Sequence, residues 1–256
     1  HMFWKDLPRP IFTLAPLEDV TDTVFRRIVL GCGEPPQSPL SGGSIASQRP
    51  SVLFTEFTNA DGMFSKGDRE VSKRLLFDPV EKPIVAQIWG ITPEHYYRAA
   101  KRLVEMGFDG IDINMGCPEK SVTSKGACSA LIKNHALAKE IILATREGAE
   151  GKLPVSVKTR LGFADIAVDE WIGFLLSFDL PLLTIHGRTV KEMSKVPAHW
   201  DEIGNVVRLR DEMKKDTLIL GNGDVKSLAE ARDKVREYGV DGVMIGRGIF
   251  ENPWLF

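Results

Sequence analysis

Gly110-Ile111-Asp112-Ile113-Asn114-Met115-Gly116-Cys117-Pro118 reads as a β-strand that alternates isoleucine with polar side chains and then breaks at a Gly-Cys-Pro turn. Successive side chains of a strand point to opposite faces, so Ile111 and Ile113 share one side while Asp112 and Asn114 share the other. If the isoleucines pack on helices, the polar pair faces inward. The turn then holds the thiol of Cys117 at the end of a rigid element, beside the Asn114 amide. A glycine-containing loop, Lys125-Gly126-Ala127-Cys128, follows.

The same grammar extends along the chain. In Val155–Thr159 the residues Val155, Val157 and Thr159 share one face, and Ser156, Lys158 and Arg160 the other. In Leu182–His186, Leu183 and Ile185 face out and His186 faces in, and Gln87 stands near the upper end of Ile84–Ile88. Further strands are expected at Ile11–Leu14, Leu53–Phe57, Thr217–Leu220 and Gly242–Ile245, making eight, with amphipathic segments between them. Thr92-Pro93-Glu94 starts one helix and Gly107 stops it; Ser227 caps another that Gly239 ends. Eight repeats in one uninterrupted rhythm over 256 residues predict a single-domain α/β (β/α)8 TIM barrel rather than an open doubly wound sheet.

Apolar content of 43% and charged content of 27% suit a soluble globular protein with a sizeable core. No apolar run approaches the roughly 20 residues that cross a bilayer, and no signal-peptide order opens the chain, so a cytoplasmic location and no membrane partner are expected. His1-Met2 reads as a cloning remnant, leaving 3–256 as one catalytic domain. Cys32, Cys117 and Cys128 cannot all pair and match no zinc spacing, which predicts a reducing compartment and no metal. A net charge of -2 argues against global attraction to nucleic acid but leaves room for a local basic patch. Gly31 to Pro50, rich in Gly, Pro and Ser, exceeds an ordinary connection and is expected to be a mobile loop.

Gln87, Asn114, Lys158 with Arg160, and His186 thus reach one rim, the carboxyl end where barrel enzymes keep their chemistry. Taken singly, each also fits a satisfied interior polar group, Lys158 through an ion pair with Asp112 and His186 through a buried hydrogen bond. Two glycine loops follow the last strands: Gly221-Asn222-Gly223-Asp224 and Gly246-Arg247-Gly248. Either one alone fits a plain turn; in those two places together they fit a phosphate seat, with Arg247 supplying a fork of donors. A cofactor with one terminal phosphate and a flat polar ring matches, and FMN is the natural candidate, with Lys158 near the electron-accepting side of the ring. A full Rossmann fingerprint is missing.

Taken together, Ala15-Pro16-Leu17 with Thr21-Asp22 and Phe25-Arg26, Asn114-Met115-Gly116-Cys117-Pro118, Val157-Lys158-Thr159-Arg160, His186-Gly187-Arg188-Thr189, Gly221-Asn222-Gly223-Asp224 and Gly246-Arg247-Gly248 resemble the tRNA-dihydrouridine synthases from about Ile11 to Phe256. The resemblance implies that NADPH reduces FMN, that hydride passes to C6 of a uracil in tRNA, and that Cys117 protonates C5. It implies Asn114 and Arg160 on the uracil edge, and Gln87, Lys158 and His186 on the flavin ring or ribityl chain. Asn222, Gly223, Gly246 and Arg247 would surround the phosphate, with Pro16, Leu17 and Asp224 completing the cofactor site. Cys32 and Cys128 are expected to be packing residues. Lys120, Lys125, Arg188, Lys191 and Lys195 lie in loops of the predicted active face and could meet RNA phosphates around a uridine drawn from its stack.

Leu17, where the family commonly has methionine, and Val196 and His199, where it more usually has glycine and aspartate, depart from the pattern and bear on flavin contact and loop shape. The family's helical RNA-binding domain would follow Phe256, so a catalytic domain cut from a longer protein, or a naturally short member with weak tRNA grip, is expected. A monomer is expected. Two alternatives stay open: an FMN-dependent dehydrogenase of a free pyrimidine, of the dihydroorotate or dihydropyrimidine type, and a flavin- or RNA-binding barrel without turnover.

Overall fold

The computed structural model describes residues 3–31 and 49–256, so His1-Met2 and all but the ends of the Gly31 to Pro50 stretch lie outside the described residues. Among the described residues nine strands run in chain order: β1 (Ile11–Leu14), β2 (Leu53–Phe54), β3 (Thr58–Asn59), β4 (Ile84–Trp89), β5 (Gly110–Met115), β6 (Val155–Arg160), β7 (Leu182–His186), β8 (Leu218–Asn222) and β9 (Gly242–Ile245). Each pairs in parallel with its neighbour in the order β1-β9-β8-β7-β6-β5-β4-β2, and β3 also lies on β4. A parallel bridge from Thr13 to Val52 brings β1 back to the β2 edge and closes the ring. Side chains reinforce that seam: Thr13 Oγ1 donates to the Val52 carbonyl at 2.5 Å, and Ser51 Oγ accepts from the Phe12 amide at 3.2 Å. The expected barrel is therefore the observed fold, and the open doubly wound sheet is excluded.

Two expected strands differ in extent. The strand expected at Leu53–Phe57 is shortened to β2, because the hydroxyl of Thr55 takes the Gln87 N–H at 3.1 Å in place of a ladder carbonyl, and β3 follows beyond it. The strand expected at Thr217–Leu220 runs on through Asn222, which makes Asn222 a wall residue of the barrel rather than a loop residue.

Alternation separates two apolar layers. Ile111, Ile113, Val157, Leu183 and Ile185 pack outward in the helix-facing core. Ile11, Val52, Phe54, Val85, Leu182, Leu218, Leu220 and Met244 fill the barrel, which Trp4 joins. A fully buried isoleucine such as Ile111 contributes about 1.5–3 kcal/mol. A one-residue slip of β5 would exchange both isoleucines for Asp112 and Asn114, and so the register is held. Glycine is required where β9 meets β1, since a Cβ on Gly242 would stand 2.0 Å from the Ile11 carbonyl oxygen.

The helix Pro93–Met106 ends at Gly107 with φ 80°, as its sequence predicts. Thr92 begins it through its backbone carbonyl, which accepts from the amides of His95 and Tyr96, and its side chain makes no cap bond. Ser227 does cap Leu228–Tyr238, accepting from the Glu230 amide at 3.1 Å. Among the described residues one ion pair is fully buried: Arg26 Nε meets Glu81 Oε2 at 2.5 Å, with both side chains at 0% exposure. The other Arg26 donors go to the carbonyls of Thr21 and Leu76.

Candidate active site

The register of five neighbouring strands, β4 to β8, aligns the polar residues in tiers. Asn114 pairs with Lys158 and Lys158 with Thr184; one step higher, Arg160 pairs with His186 and His186 with Asn222. Gln87 pairs with Asp112, and Asp112 with Ser156, below them.

A directional chain of hydrogen bonds links these tiers to Cys117. The carboxylate of Asp112 accepts from Ser156 Oγ at 2.6 Å and from Gln87 Nε2 at 2.7 Å. Gln87 Oε1 accepts from Asn114 Nδ2 at 3.0 Å, and Asn114 Oδ1 accepts from the amides of Gly116 and Cys117, each at 3.0 Å. An acceptor-only group at one end and two backbone donors at the other leave each amide a single orientation. Gln87 is fully buried and both ends of its amide are engaged, so it underlies the site without lining the cavity above it. The Asp112 carboxyl is raised to about 6 by burial, against the pull of Ser156, Gln87 and Lys158.

Above this chain lies a cavity of about 220 Å³ lined by Pro16, Leu17, Lys158, His186, Asn222, Gly223, Asp224, Gly246 and Arg247, among others. Nine residues expected to hold a cofactor thus surround one space. A larger hollow of about 430 Å³ beside Pro10 and Arg236 is lined by a helix face and has no comparable convergence, so size alone does not mark the site. The ammonium of Lys158 has no carboxylate within ion-pair distance among the described residues. The internal Lys158–Asp112 ion pair is therefore not formed, since Gln87 and Ser156 occupy the carboxylate. Burial and the neighbouring Arg160 lower Lys158 to about 8, which keeps it mainly cationic at neutral pH. His186 is driven well below its ordinary value, first by burial and then by Arg160 and Lys158, and is a neutral imidazole.

Two buried nitrogens at this end of the barrel are unsatisfied among the described residues: His186 Nδ1, on the cavity wall, and Arg188 Nη1, behind Gly223. Such groups are costly unless something binds them. Arg188 departs from its expected place on an RNA-facing surface. It is 3% exposed, donating to the Val196 carbonyl at 2.6 Å and to Asp224 at 2.5 Å, because the loop after β7 folds over the barrel mouth. Asp224 also accepts from the Ala198 amide at 2.8 Å and faces Arg247 at 3.8 Å, so it positions two guanidinium groups. Gly223 has φ 133°, and a Cβ there would meet Ala198 at 2.8 Å; a side chain would fill the cradle. Val196 and His199 support the same loop, Val196 through that carbonyl and His199 through Glu192 at 2.8 Å.

Arg160 is 8% exposed and mainly braces backbone. Its Nε donates to the Gly116 carbonyl at 2.8 Å, and its Nη1 to those of Thr189 and Met193 at 3.1 Å each. This ties the Cys117 turn to the loop after β7 and leaves Nη2 without a protein partner among the described residues. Burial lowers Arg160 to about 10, still a cation at neutral pH.

Cys117 is partly exposed and Cys128 is buried. Cys128 packs with Val122 and Ala127 against Trp89 and Cys117, the packing role expected of it. The neighbouring Cys128 thiol foremost, then the Glu119 amide and the charge of Arg160, pull Cys117 down to about 7 against the effect of burial. At neutral pH the thiol is therefore close to half protonated, a more acidic group than a free cysteine. Cys32 lies outside the described residues. Lys125, Lys191 and Lys195 are exposed on loops, whereas Lys120, also exposed, opens the helical turn Lys120–Thr123 instead of lying in a loop.

The role of Asp112 was hidden in the sequence, where it reads as an inward polar residue and a candidate ion-pair partner of Lys158. The inward pairing of Gln87 with Asp112 across adjacent strands is the signal that points to it. The capping box Asp78-Pro79-Val80-Glu81 was likewise a visible sign that Glu81 is held in place.

The dihydrouridine synthase family model matches residues 13–256. A relative from Bacillus subtilis (strain 168), probable tRNA-dihydrouridine synthase 2, is 47% identical over 99% of this chain and 73% of its own length. A probable tRNA-dihydrouridine synthase from Staphylococcus aureus (strain COL) is 47% identical with the same coverage, 99% and 73%. Among solved structures, the old yellow enzyme from Trypanosoma cruzi superposes with a TM-score of 0.60 at 12% identity, covering 96% of this chain and 86% of that one. Morphinone reductase superposes with a TM-score of 0.56 at 15% identity, covering 97% and 85%. These last two likenesses establish the barrel fold.

Proposed function

Since this chain belongs to the dihydrouridine synthase family, we propose that it reduces one uridine of tRNA to 5,6-dihydrouridine in the cytoplasm. FMN, recharged by NADPH, supplies hydride for C6 when bound. The reading rests above all on one observation: cationic Lys158, neutral His186 with its unpartnered Nδ1, Gly223 and Arg247 surround one cavity, and the buried, unpartnered Nη1 of Arg188 lies behind Gly223. That donor set fits a flavin mononucleotide. Lys158 stabilises negative charge on the reduced ring, and His186, Pro16 and Leu17 bound the ring or its ribityl chain. Asn222, Gly223, Gly246 and Arg247 receive the phosphate, while Asp224 holds the arginines rather than the anion it would repel.

Cys117 delivers the proton to C5 of the uracil. Asn114 orients the Cys117 turn through its carbonyl and offers the remaining hydrogen of its amide nitrogen to the base. Arg160 Nη2 faces the base edge while its other donors hold the turn. Gln87 acts through Asn114. Lys120, Lys125, Lys191 and Lys195 meet RNA phosphates around the extruded nucleotide. Every residue in this scheme comes from one barrel, so a monomer suffices and no metal is required.

The test is direct. Purified protein should show an oxidised-flavin absorbance spectrum, and NADPH with an unmodified tRNA transcript should yield dihydrouridine by nucleoside mass spectrometry. Rapid turnover of dihydroorotate with none of tRNA, or bound flavin with no product from any substrate, would replace this reading.

A further inference from the structure

The pairing of Cys117 with Cys128 is not needed to hold a flavin or a uracil. One thiol is partly exposed at the mouth of the barrel, and the other is buried in the apolar cluster against which it packs. Their backbones are joined as well, since the Ser129 amide donates to the Cys117 carbonyl at 3.4 Å. Cys128 holds φ 52°, a left-handed conformation that a residue bearing a Cβ rarely adopts. Trp89, Val122 and Ala127 complete a small apolar shell around the pair.

We propose that Cys117 and Cys128 form a site of reversible oxidation by hydrogen peroxide, closing to an intramolecular disulfide. The Cys117 sulfur attacks one peroxide oxygen: an S–O bond forms, the O–O bond breaks, and the second oxygen takes the proton of the Cys117 thiol and leaves as water. The Cys128 sulfur then attacks the Cys117 sulfur. An S–S bond forms, the S–O bond breaks, and the hydroxide leaves with the proton of Cys128 as a second water. Each sulfur loses one electron and the two peroxide oxygens gain one each, so two thiols and one peroxide give one disulfide and two waters. Cys117 is suited to the first attack because it is accessible and pulled down to about 7, chiefly by Cys128. Burial holds Cys128 well above its ordinary value, which suits a resolving thiol that reacts only with its neighbour.

The covalent step stands apart from the reaction proposed above. Its consequence, loss of the proton donor and hence of dihydrouridine formation, rests on that reading. The experiment therefore follows the sulfur atoms. In a Cys32→Ser background the folded protein is treated with hydrogen peroxide, remaining thiols are capped with iodoacetamide, and trypsin cuts after Lys120 and Lys125 to separate the two cysteines. The expected product is one cross-linked pair of peptides, two hydrogens lighter than their sum, which dithiothreitol releases. Cys128→Gly, whose residue suits a positive φ, should give no cross-link, and its Cys117 should pass to acids that dithiothreitol does not reduce. Cys128→Ser serves if the glycine variant does not fold. Two separately modified peptides from the parent protein, or full thiol recovery in the Cys128 variant, would overturn the proposal.

Discussion

Asp112 dictates which way the Asn114 amide points, although Gln87 stands between them. The carboxylate accepts only, Gln87 must therefore present its nitrogen downward and its oxygen upward, and Asn114 must then aim its oxygen at the Gly116 and Cys117 amides. The placement of the Cys117 turn is thus set from the barrel interior, two residues away in space.

Asp112→Asn should separate stability from activity. Asp112 in the folded protein has its pKa raised from 3.8 to about 6. The folded state therefore binds a proton more tightly than the unfolded chain, and stability falls as pH rises from about 4 through 6 and then levels. The ionised carboxylate costs on the order of 2–3 kcal/mol at neutral pH. The asparagine variant should lose this fall in urea-unfolding curves taken across that window. It should keep bound flavin yet make dihydrouridine roughly 10- to 100-fold more slowly, since its amide leaves the chain of donors ambiguous. Unaltered turnover would show that the orientation is held elsewhere.

Cys117→Ala should retain FMN and its reduction by NADPH while product formation drops by about 10²–10⁴, the range of a lost general acid. Normal dihydrouridine yield in single turnover would remove Cys117 from its role.

The two half-reactions should have different alkaline limbs. Protonated Cys117 is abundant below about 7 and is lost above it, so formation of product should fall as pH rises through 7. Cationic Lys158 persists to about 8, so flavin reduction by NADPH should hold until then and fall above it. Stopped-flow traces of each half-reaction between pH 6 and 9, or roughly that span, read both limbs; coincident limbs would contradict the separate assignments.

Lys158→Ala should weaken flavin retention or slow flavin reduction, because no other cation takes its place between Asn114 and Thr184. Equilibrium dialysis of FMN and the reduction rate measure this directly. A variant with the parent's spectrum and rate counts against the assignment.

Glu81→Ala should cost about 3–5 kcal/mol, since it leaves the guanidinium of Arg26 buried and uncompensated. Urea unfolding at neutral pH gives the number. A loss below about 1 kcal/mol, as for an exposed pair, would mean that water reaches Arg26.

The barrel was legible because its cause is local: period-two alternation in Ile111-Asp112-Ile113-Asn114 and Val157-Lys158-Thr159-Arg160 says which face must be buried. The same alternation placed Lys158, Arg160 and His186 inside, and the glycines at 221, 223, 246 and 248 marked the cradle. What alternation cannot say is which inward group touches which. Whether Lys158 meets Asp112, whether Arg188 faces RNA or the cavity, and whether Cys128 is a bystander or a partner of Cys117 depend on strand register and on loops folding back over the mouth. Those contacts join residues dozens of positions apart, such as Arg188 with Asp224 and Arg160 with Gly116. The sequence by itself determined a closed parallel barrel with a polar upper interior. Only the tertiary structure decided how its donors and acceptors are shared, because a hydrogen bond is fixed by distance and direction, which no periodicity carries.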